Sequence, residues 1–165
     1  MLFPELAEQL LEMGRVDQEM RSKNLLDPDF WDETVDFQNT VKMMRIWLHH
    51  RWPTISMVGR EASHSAWLIV QHADHDPTFQ QLCLHSMMDC PLEEIIKEDL
   101  AYLADRVRVN TDRPQIFGTQ FTEVDGKFIP KEIEDPEHVD ERRHAMGLGT
   151  LEEAIREMEE KYRKS

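Results

Sequence analysis

The chain has 165 residues, a length typical of one domain, and 40% of them are hydrophobic, which is enough to form a core. Its formal net charge of −14 repels phosphate groups, and no basic cluster with interleaved aromatics compensates, so we expect neither nucleic acid nor an anionic membrane as partner. Two cysteines are too few for a disulfide scaffold and no long apolar run is present, so we predict a cytoplasmic location.

The first 50 residues predict two helices. Apolar residues recur at helical spacing over 3–24, and Asp27-Pro28 follows as a loop or a helix start. Thr34 is predicted to cap the second helix, which Trp52-Pro53 ends because a residue before proline avoids helical geometry. The predicted buried stripe of this helix consists of Val35, Phe37, Val41, Met44 and Leu48.

Three further helices are predicted before residue 110. The third runs from about Gly59 to Ala73, and Asp76-Pro77 starts the fourth, with the aspartate as N-cap. Cys90-Pro91 ends the fourth helix, and a long fifth helix follows to about Val109.

The pattern changes at Gln115, where β-branched and aromatic residues alternate. Asp125-Gly126 predicts a type I′ turn, so we expect one β-hairpin here. A short helix after Asp135-Pro136 and a last helix with a Thr150–Glu153 capping box complete the chain, and Glu152/Arg156, Glu157/Lys161 and Glu160/Lys164 are spaced for ion pairs in the last helix. The predicted fold is mainly α, a single-domain helical bundle over 1–165 with one β-hairpin near the C-terminal third.

The third predicted helix has an unusual polar face. On a wheel of about 100° per residue, one side is apolar and the other gathers imidazole, amide and hydroxyl groups. These groups are suited to directed hydrogen bonds and to proton transfer near neutral pH, whereas a solvated face normally carries Glu and Lys. The apolar side comprises Ala62, Ala66, Ile69, Val70 and Ala73, and the polar side comprises Glu61, His64, Ser65, Gln71, His72 and His75. The alternative is an exposed face that is rich in histidine by chance, with Asp76 only a helix cap.

Two charges fall on or beside the apolar stripe of the fifth predicted helix. Asp99 and Arg106 are two turns apart and therefore point the same way. Burying either charge alone would cost several kcal/mol, so each needs a partner or a ligand. Either these charges form a structural ion pair that ties two helices together, with Asp99 within reach of Arg106, or Arg106 binds substrate.

Gly118 lies inside the predicted strand region, where glycine loses packing and entropy. Close approach of a backbone or a ligand explains such a glycine, and the alternative is a bulge with solvated amides nearby. Gln115 and Gln120 flank it, and Gln120 is predicted to share its strand face.

The blocks QHADHD, AYLADRV, QIFGTQF and ERRHAMGLG occur in this order within 52–151. Together they resemble an uncharacterised bacterial family, a domain of unknown function that is DUF6624-like. The resemblance leaves the helices over 1–50 and the C-terminal helix over 150–165 outside this core. It implies a shared site more than a reaction. By match, that site would contain Gln71, His72, Asp74, Asp105, Arg106, Gln115, Gly118, Thr119, Gln120, Arg142 and Arg143. On the wheel Asp105 projects away from Arg106, so it fits least.

The pattern favours a small enzyme in which His72 is the general acid/base, oriented by the carboxylate of Asp74 or Asp76. Arg106 would bind an anionic or carbonyl part of a small polar substrate. Gln71 and Gln120 would orient the substrate. The remaining predicted substrate-binding residues are His64, Gln115, Gly118 and Thr119. We expect His72, Arg106 and Gln120 to line one cavity, no cofactor to be needed, and the reaction to be a hydrolysis, an elimination or a cyclisation.

Two alternatives stay open. The first is a metal-dependent enzyme that uses His64, His72, Asp74 and His75. Because His72 and His75 lie about 60° apart on the wheel and the HExxH pattern is absent, we expect no tightly held metal. The second is a non-catalytic binding or immunity-type protein whose acidic surface captures a basic partner.

Overall fold

Helices dominate the computed structural model, which describes residues 1–27 and 29–163, with side chains described up to residue 161. Within these ranges it contains eight α-helices and one antiparallel hairpin, which confirms the prediction of a mainly α fold. No helix in the described ranges is both long and apolar enough to cross a membrane. The chain divides into two compact units, Met1–Asp99 and a second unit from Leu100 onward. One domain over 1–165 stays a prediction.

The first unit holds five complete helices and the start of a sixth. They are α1 (Pro4–Leu26), α2 (Glu33–His50), α3 (Ile55–Val58), α4 (Arg60–Gln71), α5 (Pro77–Met88) and the beginning of α6 (Lys97–Val109), with a 3-10 turn at Leu92–Glu94. Of the predicted Asp27-Pro28 loop, Pro28 lies outside the described residues. Asp76 caps α5 as predicted, since its Oδ1 accepts a hydrogen bond from Phe79 N at 2.9 Å.

The polar face of α4 is partly covered by α1. A Cβ on Gly14 of α1 would lie 2.8 Å from Ser65 Oγ, so only glycine permits this close approach. Ser65 is buried at this contact, and Gln71 is buried further along the helix. The apolar side of α4 is buried as predicted, and it comprises Ala62, Ala66, Ile69 and Val70, with Ala73 just beyond the helix end.

The predicted buried stripe of the second helix is wrong. Phe37 is 61% exposed and Leu48 is 67% exposed. The face that packs on α1 and α4 is instead formed by Asn39, Thr40, Met43 and Ile46. The small polar residues fit there because Asn39 Nδ2 donates to Met13 O at 3.4 Å and Thr40 Oγ1 donates to Asp36 O at 2.8 Å.

The cap of this helix also differs from the prediction. Asp32 precedes α2, and its Oδ1 accepts hydrogen bonds from the backbone N and the Oγ1 of Thr34, at 3.0 and 2.5 Å. A carboxylate at this position satisfies a free N–H and favours the positive end of the helix dipole. The N-cap is therefore Asp32, and Thr34 is the residue that donates hydrogen bonds to it.

The second unit contains the hairpin and the last two helices. Strands β1 (Phe121–Val124) and β2 (Lys127–Pro130) pair antiparallel, and both turn residues between them have positive φ, 51° and 76°, which confirms the predicted type I′ turn. A 3-10 turn at Pro136–His138 leads into α7 (Val139–Ala145), and α8 (Leu151–Arg163) follows.

The start of α8 forms the predicted capping box. Thr150 N donates to Glu153 Oε2 at 2.8 Å and Glu153 N donates to Thr150 Oγ1 at 3.2 Å, which confirms it. The predicted Glu152–Arg156 ion pair is present at 3.2 Å. Lys164 of the predicted Glu160 pair lies outside the described residues.

Candidate functional site

His72 caps the C-terminal end of α4 and lies against α1. Its Nδ1 is 2.9 Å from Oδ1 of Asp17, a carboxylate that is 1% exposed, while the imidazole itself stays 20% exposed. The hydrogen bonds of the ring to Arg21 and Asp17 all involve Nδ1, and no group within the described ranges bonds Nε2. A buried carboxylate thus engages one ring nitrogen of an imidazole that stays partly exposed.

The prediction that Asp74 or Asp76 orients this imidazole is wrong. Asp76 caps α5, and an oxygen of Asp74 accepts a hydrogen bond from Gln80 Nε2 at 3.2 Å. The same amide nitrogen of Gln80 reaches the backbone carbonyls of Val70 and Gln71, at 3.1 and 3.4 Å. Both aspartates therefore help to form the turn that carries His72, and Gln80 satisfies carbonyls that the end of α4 leaves unpaired.

Arg21 of α1 connects the pair to a second carboxylate. Its Nε lies 3.0 Å from His72 Nδ1 and 3.3 Å from each carboxylate oxygen of Asp17. Its terminal nitrogen donates to Oδ1 of Asp36 in α2 at 2.6 Å. The guanidinium also stacks 5.2 Å above the ring of Trp31.

This geometry accommodates both neutral tautomers of His72. When Nδ1 carries the proton it donates to Asp17, and Nε2 is then a base. When Nε2 carries the proton, Nδ1 accepts from Nε–H of Arg21, and Nε2–H is then a hydrogen-bond donor. Asp17 keeps a donor in either state, because Gln18 Nε2 also donates to it at 2.8 Å.

The two carboxylates that share Arg21 differ in acidity. Burial opposes ionisation of Asp17, but the hydrogen bond and the charge of His72, together with Arg21, hold the pKa of this carboxyl below its usual value. Burial raises the pKa of Asp36 above its usual value, although Arg21 acts in the opposite direction. Environments that separate two neighbouring carboxyl groups in this way are typical of acid/base sites.

A second histidine–carboxylate pair lies on the same helix. His64 Nδ1 is 2.9 Å from Oδ2 of Asp99, and its ring stacks on Trp67 with centroids 4.9 Å apart. Burial raises the pKa of Asp99 to about 6, although the hydrogen bond and charge of His64 lower it. Asp99 thus has a partner on another helix, His64, whereas Arg106, the partner expected from the sequence, donates to Gln120.

A cavity of about 680 Å³ opens beside Asp36. It is lined by Glu33, Thr34, Asp36, Phe37, Gln38 and His75. The rings of Phe37 and His75 face each other with centroids 5.9 Å apart. The cavity therefore reaches the Arg21 network through Asp36, which belongs to both.

In the second unit, most residues of the family-like blocks fix one loop, residues 115–120. Asp105 is fully buried, and its carboxylate accepts hydrogen bonds from the backbone N of Ile116, Phe117 and Thr119 and from Thr119 Oγ1, at 2.7 to 3.2 Å. Gln115 is also buried, and its side chain bonds the backbone of Gln120 and Lys131. These contacts are those of a structural clamp.

The two neighbouring arginines bind the other side of the same loop. Arg143 donates to the carbonyl of Phe117 at 2.8 Å and to that of Gly149 at 2.6 Å. Arg142 donates to the carbonyls of Ile116, Glu134 and Asp135. Backbone N–H groups of the loop thus donate to a carboxylate, and carbonyl groups of the same loop accept from guanidinium groups.

The sequence predicted that Gly118 lies inside a strand, but in the structure it precedes β1. Its φ is +68°, and a Cβ there would lie 2.8 Å from Leu151 Cδ1 and 3.0 Å from Ile133 Cδ1. Backbone conformation and packing explain this glycine, with no ligand required. Gln120 accepts a hydrogen bond from Arg106 at 2.9 Å, so these two predicted substrate-binding residues do lie together.

The structure brings together a group that the sequence did not predict: Asp17, Arg21 and Asp36 around His72. One signal was present, because Asp17 is four residues after Met13 and so lies in the apolar stripe of the first helix. Convergence of His72 with Arg106 and Gln120 stays a prediction. Gln71 is buried beside His72, and its Oε1 receives no hydrogen bond within the described part of the chain.

No group of three or more His, Cys, Asp or Glu side chains in 1–27 and 29–163 is arranged to hold a metal ion. The expectations of no metal and no cofactor stay predictions.

The fold and the site define a mainly helical protein in which histidines of one helix pair with buried carboxylates. Residues 4–164 match the model of a family of unknown function (DUF6624), and the chain belongs to that family. The match extends beyond the 52–151 core recognised from the sequence blocks, so α1 and α2, with Asp17, Arg21 and Asp36, lie within it. No curated protein and no solved structure matches the chain.

Proposed function

We propose that this protein is a small cytoplasmic enzyme that uses His72 as general acid/base on a small polar substrate. The observation that carries the proposal is the Asp17–His72 pair, in which a buried carboxylate engages Nδ1 at 2.9 Å and the ring stays partly exposed. General acid/base catalysis by a positioned side chain contributes typically about 10²–10⁴-fold to a rate.

The proton transfers follow from the contacts of the ring. With Nδ1–H donating to Asp17, Nε2 accepts a proton from the substrate or from a water molecule. Asp17 stabilises the imidazolium that forms, as carboxylates do in other acid/base sites. The imidazolium then returns the proton to a leaving group, which is the sequence of steps that a hydrolysis, an elimination or a cyclisation requires.

Arg21 and Asp36 complete the site. Arg21 keeps a donor next to His72 Nδ1 in either tautomer, so it acts as a positioning residue. Asp36 accepts from Arg21 at 2.6 Å and lines the cavity, so it connects the cavity to the site. Gln71 lies beside His72, and its side-chain oxygen is an acceptor that has no hydrogen-bond partner among the described residues.

The test is to incubate the purified protein with a cellular metabolite extract and to follow the consumed and formed compounds by mass spectrometry. We expect at least one compound to be converted by the wild type and not by His72→Asn or Asp17→Asn. The matched control is His85→Asn, which changes an exposed histidine of α5 and should leave conversion intact.

Two results would contradict the proposal. Conversion that survives in His72→Asn would assign the chemistry to other residues, and an absence of any conversion would favour the binding protein. Treatment of the protein with EDTA should leave conversion unchanged, whereas a loss that zinc or manganese restores would favour the metal-dependent alternative.

A further inference from the structure

The cavity beside Asp36 is bordered by aromatic rings that are not packed in the hydrophobic core. Phe37, at 61% exposure, forms one wall, and His75 forms another 5.9 Å away. Trp31 is exposed as well and stacks on Arg21, which itself binds Asp36. Large rings left open to solvent around a cavity are groups that a ligand can cover.

The charges at this cavity are negative. Glu33 and Asp36 contribute carboxylates, and Thr34 and Gln38 contribute neutral polar groups. Among the described residues, Arg21 is a cation that contacts this lining, and it is already engaged by Asp17, Asp36 and His72. An anionic ligand would therefore meet carboxylates and the negative faces of aromatic rings, whereas a cation would be attracted by both.

We infer that this cavity binds an organic ammonium ion, whose methyl or methylene groups contact Phe37 and His75 while its charge faces Glu33 and Asp36. This inference rests on the proposed function, because it names the substrate class of the same enzyme. A volume of about 680 Å³ lies within the range of small-molecule sites and accommodates an ammonium compound with a further polar arm. Asp36, which lines the cavity and bonds Arg21, connects the ammonium site to the Arg21–His72 network.

The test compares three probes of nearly equal shape. They are choline, its neutral carbon isostere 3,3-dimethylbutan-1-ol, and the anion 3,3-dimethylbutanoate. Each is titrated into the full-length protein labelled with ¹⁵N, and the amide signals of α2 and of the His72–Asp76 turn are followed by NMR. We expect saturable shifts with choline, affinity for the neutral isostere about fivefold weaker, and weaker binding still of the anion.

Matched variants localise the effect. Phe37→Leu keeps an apolar wall but removes the ring face, so it should reduce choline affinity about fivefold and leave the neutral isostere little changed. Phe30→Leu is the control, since Phe30 is an exposed aromatic that lies near Lys23 and lines a different cavity. Glu33→Gln should weaken choline binding, and Glu8→Gln, an exposed acid of α1, should not.

Equal affinity for choline and its neutral isostere, tighter binding of the anion, or no saturable shift with any probe would overturn the inference. Equal losses in Phe37→Leu and Phe30→Leu would also overturn it. Because this test measures binding at the cavity and the metabolite test measures conversion, a failure here leaves the metabolite test of His72 intact, and the two proposals fail separately.

Discussion

Replacing Asp99 by asparagine should change the way in which stability depends on pH. The Asp99 side chain is 7% exposed and bonds to His64. Burial raises its pKa from 3.8 to about 6, so the folded state retains a proton that the unfolded chain has already released. A carboxyl group of this kind stabilises the fold at low pH, and that stability is lost as the pH rises through the pKa of the folded state.

The magnitude follows from the same two values. The difference between 3.8 and about 6, at ~1.4 kcal/mol for each pH unit, amounts to ~3 kcal/mol of unfolding free energy. The loss begins near pH 4 and is complete slightly above pH 6. Asparagine keeps the shape and a hydrogen-bonding group but does not ionise, so Asp99→Asn should lack this dependence.

The assay is urea unfolding of the wild type and the variant at intervals from pH 4 to pH 7.5. Between pH 4 and pH 7 the stability of Asp99→Asn should rise by ~3 kcal/mol relative to the wild type. Asp89→Asn, the same substitution at an exposed position, is the matched control. A difference that stays flat for Asp99→Asn, or that falls with pH, would refute the reasoning. In His64→Gln the wild-type loss should move to higher pH, because His64 lowers the pKa of Asp99.

Three further predictions concern the buried parts of the chain. Asp105→Asn should lower the unfolding free energy by ~2–4 kcal/mol, because an amide cannot accept from all the donors that meet this carboxylate, and an unchanged urea midpoint would contradict the clamp. Gly118→Ala should cost ~2–4 kcal/mol, against ~1 kcal/mol for Gly126→Ala, where φ is also positive but nothing lies within 4 Å of a Cβ, and equal costs would refute the packing argument. Iodoacetamide should label Cys90 before Cys83 in the folded protein, because Cys83 is fully buried and burial raises its pKa strongly, and peptide mapping that finds equal labelling would contradict this.

The elements of the fold were largely predictable because their signals are local. The Asp125-Gly126 turn, the Asp76 cap and the Thr150–Glu153 capping box depend on groups within three residues of each other, and all three are confirmed. The buried face of α2 was not predictable in this way. Apolar spacing indicated Phe37 and Leu48, but the packing face is set by which side chains fit between two other helices, and this is not a local property.

In the candidate site, too, the local features were predictable and the contacts between helices were not. Helical periodicity predicted the apolar and polar sides of α4, and it placed His72 on the polar side as a candidate site residue. The carboxylate that bonds His72 is Asp17, 55 positions earlier in the chain, and no spacing rule connects two helices that meet only in the fold. Asp74 and Asp76 were closer in sequence, but a tight turn between helices needs such residues for caps and carbonyl bridges.

Residues of the family-like blocks therefore belong to two physical kinds. Asp105, Gln115 and Arg143 are buried, and their side chains bond the backbone of one loop. A group whose hydrogen-bonding atoms are already occupied inside the core has little left to offer a substrate, and its replacement is expected to reduce stability first. In the proposed function His72 transfers protons, so its replacement should remove the proposed activity, and it should also lower stability because buried Asp17 loses its imidazole partner. Substitutions that separate these two effects test the function of the family more directly than substitutions chosen from the blocks alone.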